Sequence, residues 1–361
     1  MPPLKNDRLL KAIWQEPLDR TPVWIMRQAG RYLPEYRATR ARAGSFMNLC
    51  KTPELACEVT LQPIQRYALD AAIIFSDILT IPDAMGLELQ FIDNHGPVFA
   101  RSVVCDKDIK NLELDLERLS YVYEAIRLVK HELTGRIPLI GFCGSPWTLA
   151  AYMIEGQAQP GFPKIEKMRK AEPTLLHHLL NILSTSVYSH LHAQIQAGVE
   201  VVMIFDTWGG LLDTEDYEKF SLFYIKQIIT RLQSNDYNKR IPVILFTKGG
   251  YRWIKQMAEA GCDVVGLDWE ISLQEAREQI GSQVAIQGNM NPQWLIESPE
   301  VMRREVLKII ASYGYGSGHI FNLGHGITPD VSPEQVKELI NAVHEFSMPY
   351  HQRGDSCEKN D

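Results

Sequence analysis

Short apolar runs punctuate the chain at 22–26, 71–75, 138–142, 199–205, 242–246, 264–267, 284–287 and 319–323, eight in all. Most are apolar at odd and even positions alike, the pattern of a strand covered on both faces. Between most of them lie segments with helix boundary signals. Ser272-x-x-Glu275 and Ser332-Pro-x-Gln335 are capping boxes, and Gly198, Gly261 and Gly281 are C-terminal stops. Buried strands alternating with helices predict parallel βαβ units. Eight units without a second core predict an α/β chain folded as a single-domain (β/α)8 TIM barrel over 1–349.

Four stretches add to this repeat. Asn6 or Asp7 caps a helix with Leu9, Leu10, Ile13 and Trp14 on one face, broken at Pro17, which serves as a lid on the closed end of the core. Thr52-Pro53 starts a helix that kinks at Pro63. The alternation over 86–97 predicts a hairpin excursion after the second strand, and the polar residues 350–361 predict a disordered tail.

A formal net charge of -7 argues against general binding to nucleic acid or an anionic membrane. Any anionic ligand must therefore be captured by a local cluster of cations. The six cysteines are scattered, with no Cys-x-x-Cys pair, which suits a reducing compartment and a metal-free protein. No apolar run resembles a signal peptide or spans a bilayer, so a cytoplasmic location is expected.

In such a barrel the active site forms where the strands end. The first run opens into Arg27-Gln-Ala-Gly-Arg31-Tyr-Leu-Pro-Glu-Tyr-Arg37-Ala-Thr-Arg40, and arginine's planar fork is suited to holding carboxylates or phosphates. The later runs end in Ser76-Asp77, Cys143-Gly-Ser145, Asp206-Thr207-Trp208, Lys248, Asp268-Trp269, Asn289 and Gly324-His325-Gly326. Asp77 and Asp206 serve equally well as turn caps, Tyr152 as packing, and Arg37, Arg40 and Arg42 as a solvated helical face. Lys248 is a minor candidate for a Schiff base. Dinucleotide, P-loop and serine-hydrolase signatures are missing from the sequence.

The strings MRQAGRYLPEYR, FSDIL, LIGFCGSPWTLAAYM, VGLDW, QGNM and NLGHGI, in this order from the first run to the last, resemble the uroporphyrinogen decarboxylase family of haem and chlorophyll biosynthesis. The resemblance implies a (β/α)8 barrel, a homodimer, and removal of carbon dioxide from the four acetate arms of uroporphyrinogen III without metal or organic cofactor. It assigns substrate binding to Arg27, Gln28, Ala29, Gly30, Arg31, Asp77, Tyr152, Thr207 and His325, with Asp77, Arg27, Tyr152 and His325 as the catalytic set. Relatives often carry serine where this chain has Thr207, and either hydroxyl donates to a carboxylate.

The chemistry can be argued beside the resemblance. A carboxylate under the macrocycle accepts hydrogen bonds from pyrrole N–H groups and favours the cation formed when a pyrrole is protonated. Asp77 is the candidate, held ionised by neighbouring arginines against the effect of burial. His325 or Tyr152 is a chemically easier proton donor than Arg27. Two other readings compete: a zinc-dependent methyltransferase of a related barrel, which needs a thiolate and imidazole cluster, and a non-catalytic tetrapyrrole carrier.

Overall fold

Seven of the eight apolar runs become strands of one parallel sheet in the computed structural model, which describes residues 4–92, 96–235, 237 and 240–352. The strands are β1 (Ala72–Ile73), β4 (Leu139–Gly144), β5 (Val201–Asp206), β6 (Val243–Thr247), β7 (Val264–Gly266), β8 (Ala285–Met290) and β9 (His319–Leu323), neighbours in that order. Two further strands, β2 (Leu89–Ile92) and β3 (Gly96–Phe99), pair antiparallel as the excursion predicted after the second run.

The run at 22–26 differs from expectation. Instead of a ladder it makes one isolated parallel bridge, Val23 with Phe321 of β9. Side chains take over the remaining pairing. Asn322 Oδ1 accepts from the Met26 N–H (2.9 Å), while Gln28 accepts from the Ile25 N–H (3.1 Å) and donates to the Ala71 carbonyl (3.2 Å). On the β1 side, Asp70 Oδ2 accepts from the Val23 N–H (2.9 Å), and the Asp70 N–H donates to the Val23 carbonyl (2.9 Å). Amide and carboxylate groups thus stand in for backbone partners at the seam where the sheet closes.

Both strand faces are buried, and they feed separate clusters. Met203, Phe205, Ile244, Phe246, Val264, Ala285 and Ile320 fill the barrel interior with Trp24 and Met26 of the first run. Their alternates, such as Val202, Ile204, Val243, Leu245 and Phe321, pack outward in the cluster that includes the surrounding helices. The helix Arg8–Ile13 inserts Leu9, Ala12 and Ile13 into the interior cluster, and Gln15 Nε2 donates to the Ser282 carbonyl just before β8. It closes the end where the strands begin. Trp14 is exposed, because the helix stops at Ile13, and its ring lies under the Arg240 guanidinium at 5.2 Å. The Pro53–Arg66 helix keeps Pro63 within its last turn. At the far terminus His351 hydrogen-bonds Thr21 (3.0 Å), while 353–361, most of the expected tail, lie outside the described residues.

Asp70 ties the seam together. It accepts from Asn6 Nδ2 (2.9 Å) and stands 3.4 Å from Arg20 and 3.7 Å from Arg8. Burial pushes its carboxyl up, but His344 at 3.7 Å, hydrogen bonds from Asn6 and the Val23 N–H, and the Arg20 charge outweigh this and hold it below its ordinary value. Such a group contributes stability that is fully present above its unfolded pKa of about 3.9 and is lost as pH falls through the lower folded pKa. Asp70→Ala is expected to cost about 3–5 kcal/mol at pH 7, because it takes the acceptor from the buried Val23 N–H and from Asn6 and leaves the half-buried Arg20 without its carboxylate. Urea denaturation at pH 7 and in acid checks this: the difference from wild type must shrink in acid, and a cost below about 1 kcal/mol at pH 7 would remove Asp70 as the seam's clamp.

Candidate active site

The first run ends in a tight turn, closed by the Gln28 N–H donating to the Ile25 carbonyl (2.8 Å), with Arg27 at φ +65°. Two glycines make this reversal possible. A Cβ on Gly30 would stand 2.7 Å from the Arg27 carbonyl, and one on Gly326 would stand 2.7 Å from Arg27 Nε and collide with Cδ. The stem of Arg27 therefore lies across the glycine that follows His325. Arg37 fastens the loop from behind by donating to the carbonyls of Arg31 (2.8 Å) and Tyr32 (3.1 Å). The basic helix face thus divides: Arg37 holds the loop, Arg42 pairs with Glu58, and Arg40 is half-buried.

Arg27 and Arg31 are exposed and have no hydrogen-bond or ion-pair partner among the described residues. The N–H groups of Ala29, Gly30 and Arg31 are likewise unpaired there. Guanidinium groups beside free amides are chemically suited to an anion. Gln28 differs from its neighbours, since it is 1% exposed and both ends of its side-chain amide are engaged in the seam. Its side chain builds the loop from below.

Asp77 follows β1 and is half-buried. Its Oδ1 accepts from the Leu79 N–H (2.8 Å), so the turn-cap reading holds, and its second oxygen carries no hydrogen bond among the described residues. Burial pushes the carboxyl above its ordinary value; the Leu79 N–H and the Arg27 charge oppose this without overcoming it. The expectation that arginines hold Asp77 down is therefore corrected for the free protein. Arg27 is itself exposed, so water screens its charge, whereas the carboxyl is desolvated.

Tyr152 comes from the helix Pro146–Glu155, which has Ser145 as its cap, Pro146 in its first turn and Gly156 in the left-handed conformation at its end. The hairpin grips this helix: the Phe99 N–H donates to the Gly156 carbonyl (2.7 Å), and the Val103 N–H donates to that of Met153 (2.9 Å). The Tyr152 ring meets Phe162 edge-on (5.7 Å) and Trp208 tilted (6.1 Å). Burial pushes its phenol up; the Asp77 charge adds to this and the Arg27 charge opposes it.

His325 lies at the end of β9, half-buried, and is pushed down to about 4 by burial and by the charges of Arg27 and Lys248. At neutral pH its imidazole is uncharged and has one N–H to donate. Arg27, Asp77, Tyr152 and His325, from four places in the sequence, thus share one electrostatic environment at the C-terminal end of the barrel.

Thr207 follows β5, half-buried, next to a group that the sequence left undecided. Asp206 is fully buried and accepts from four hydroxyls: Ser145 (2.5 Å), Ser221 (2.8 Å), Thr148 (3.2 Å) and Thr247 (3.4 Å). Thr148 Oγ1 also accepts from the Trp208 N–H (3.2 Å), and Trp147 Nε1 donates to the Trp208 carbonyl (3.0 Å). The nest therefore fixes the Thr207-Trp208 turn. Phe162 and Trp208, in contact at 4.8 Å beside Tyr152, form an aromatic wall that the sequence did not single out. The position of Trp208 just past a strand end was the one available signal.

Among the described residues, no three His, Cys, Asp or Glu side chains come together as a metal site. Cys143 and Cys262 are buried, and desolvation pushes both thiols up, Cys262 to about 12. Neither belongs, among the described residues, to the cluster of thiolate and imidazole side chains that a zinc-dependent methyltransferase requires.

A parallel barrel whose strand ends carry guanidinium groups unpaired among the described residues, beside a desolvated carboxylate, defines a class: a TIM-barrel protein with a basic cluster at its mouth. The family model described as uroporphyrinogen decarboxylase (URO-D) matches residues 4–346, and the chain belongs to this family. It is 56% identical over 354 residues to the uroporphyrinogen decarboxylase of Hahella chejuensis, covering 98% of this chain and 99% of that one. It is 55% identical over 353 residues to that of Escherichia coli, covering 97% and 100%. Among solved structures, a methyltransferase from Methanosarcina mazei aligns with a TM-score of 0.76 at 20% identity, over 96% of this chain and 99% of that one, a likeness of fold alone.

Proposed function

We propose that this chain decarboxylates the four acetate arms of uroporphyrinogen III to methyl groups, giving coproporphyrinogen III, and that it does so without a metal or organic cofactor. The observation that carries the reading is the mouth of the barrel: in a chain of net charge -7, Arg27 and Arg31 have no counter-ion there among the described residues. An octacarboxylate supplies what they lack.

In each cycle a pyrrole carbon takes up a proton, and the ring becomes the electron sink. The bond to the departing carboxyl breaks into that cation, carbon dioxide leaves, and the methylene that remains takes up a proton to become methyl while the ring returns its own. Asp77, accepting from pyrrole N–H groups, favours the cationic stage. Arg27 and Arg31 hold carboxylates, Thr207 donates its hydroxyl, and Tyr152 lines the ring. His325 rests neutral, and a bound polyanion raises its proton affinity, which suits it to deliver a proton after binding.

Incubation of the purified protein with chemically reduced uroporphyrin III, followed by chromatography, is expected to yield coproporphyrinogen through partly decarboxylated intermediates, with or without a chelator. Porphyrinogen retained but unchanged would mean a carrier instead. The reading includes a homodimer in the cytoplasm; sedimentation of the purified protein tests the dimer.

A further inference from the structure

Round the closed sheet, β6 lies four places from the 22–26 run in either direction, so Lys248, which directly follows β6, stands across the mouth from Arg27. Its backbone is held from several sides. The Lys248 N–H donates to the Asp206 carbonyl (3.3 Å), and the next N–H, of Gly249, donates to Asp268 Oδ2 (2.6 Å). Any side chain on Gly210 would collide with the Lys248 carbonyl. Thr247, just before it, is bonded to Tyr217 (3.0 Å).

The side chain is treated differently. Lys248 is exposed and has no hydrogen-bond or ion-pair partner among the described residues, although two carboxylates flank it. Both are committed elsewhere: Asp206 to its four hydroxyls, and Asp268 to the N–H groups of Gly249 and Glu270 (3.2 Å). A cation on a fixed backbone, with its neighbouring carboxylates already satisfied, is preorganised for an outside carboxylate. Its charge also reaches His325, together with that of Arg27.

We infer that Lys248 binds a carboxylate on the edge of the tetrapyrrole remote from Arg27 and Arg31, so that the macrocycle is held at two opposed points; this rests on the decarboxylase reading. A ring with carboxylates on every edge pivots when it is gripped on one side only. A second anchor sets its tilt over Asp77. The ammonium is a point charge on a flexible stem, so it accepts whichever carboxylate faces it after each arm has reacted, where a guanidinium fork would demand one geometry.

Lys248→Ala is expected to raise KM for uroporphyrinogen about tenfold and to change kcat less than about threefold, with Lys248→Arg, which keeps the charge but not the flexible point-charge geometry, recovering part of the loss. An unchanged KM, or a fall in kcat alone, would overturn the assignment. Fluorescence titration with uroporphyrin, the oxidised octacarboxylate, judges it independently of turnover: the alanine variant must bind about tenfold more weakly, and equal affinity refutes the anchor. A wild type that binds uroporphyrin but leaves uroporphyrinogen unreacted would sink the decarboxylase reading, while the binding ratio still decides on Lys248.

Discussion

Asp77→Asn is expected to lower kcat by about 100- to 1000-fold while the protein keeps its fold, with Asp77→Glu retaining part of the activity. The asparagine preserves size and can still accept from the Leu79 N–H, so the turn survives. What it loses is the negative charge under a ring that becomes cationic. The pH profile gives a second measurement. Burial raises the Asp77 carboxyl in the free protein, so kcat/KM, which reports the free enzyme, must fall with acid at a pH above the ordinary aspartate value of about 3.9. In the complex, pyrrole N–H groups stabilise the ionised form, so the acid limb of kcat lies lower. Near-wild-type turnover by Asp77→Asn, or a kcat limb above that of kcat/KM, would remove Asp77 from the chemistry.

The direction of that shift could not be read from the sequence, which put Asp77 and Arg27 at neighbouring strand ends but held nothing on their relative depth. Burial decided it: the carboxyl is desolvated and the guanidinium is exposed, so the opposite charge acts through water. Period and punctuation, by contrast, carry over well. Seven apolar runs are strands, the Ser272 capping box is formed with Glu275, and Gly198 ends its helix in the left-handed conformation. The run at 22–26 looks like any other strand in sequence, yet its pairing passes to Gln28, Asn322 and Asp70, because register at a closing seam depends on contacts between positions 43 to 296 residues apart. Asp206 was legible as a strand-end carboxylate but not as the centre of four hydroxyls drawn from three other segments. Such a nest leaves no local pattern.

Arg27→Ala is expected to lower kcat/KM by about 1000-fold or more, with KM rising and kcat falling together. A bidentate grip on a carboxylate accounts for the affinity. The loss in kcat follows from the position of the guanidinium, which acts on Asp77, Tyr152 and His325 at once. Without it Asp77 loses an attraction that favours its ionised form, so the acid limb of kcat/KM must move to higher pH. His325 is relieved of a repulsion, and its titration, followed by NMR, must rise from about 4. Gly326→Ala separates position from charge, because the new methyl displaces the Arg27 stem and leaves the guanidinium in place chemically. If placement matters, this variant loses kcat although no charge has been removed. A Gly326→Ala enzyme with wild-type kcat, beside an Arg27→Ala enzyme impaired only in KM, would confine Arg27 to uniform binding and leave the catalytic field to Asp77 alone.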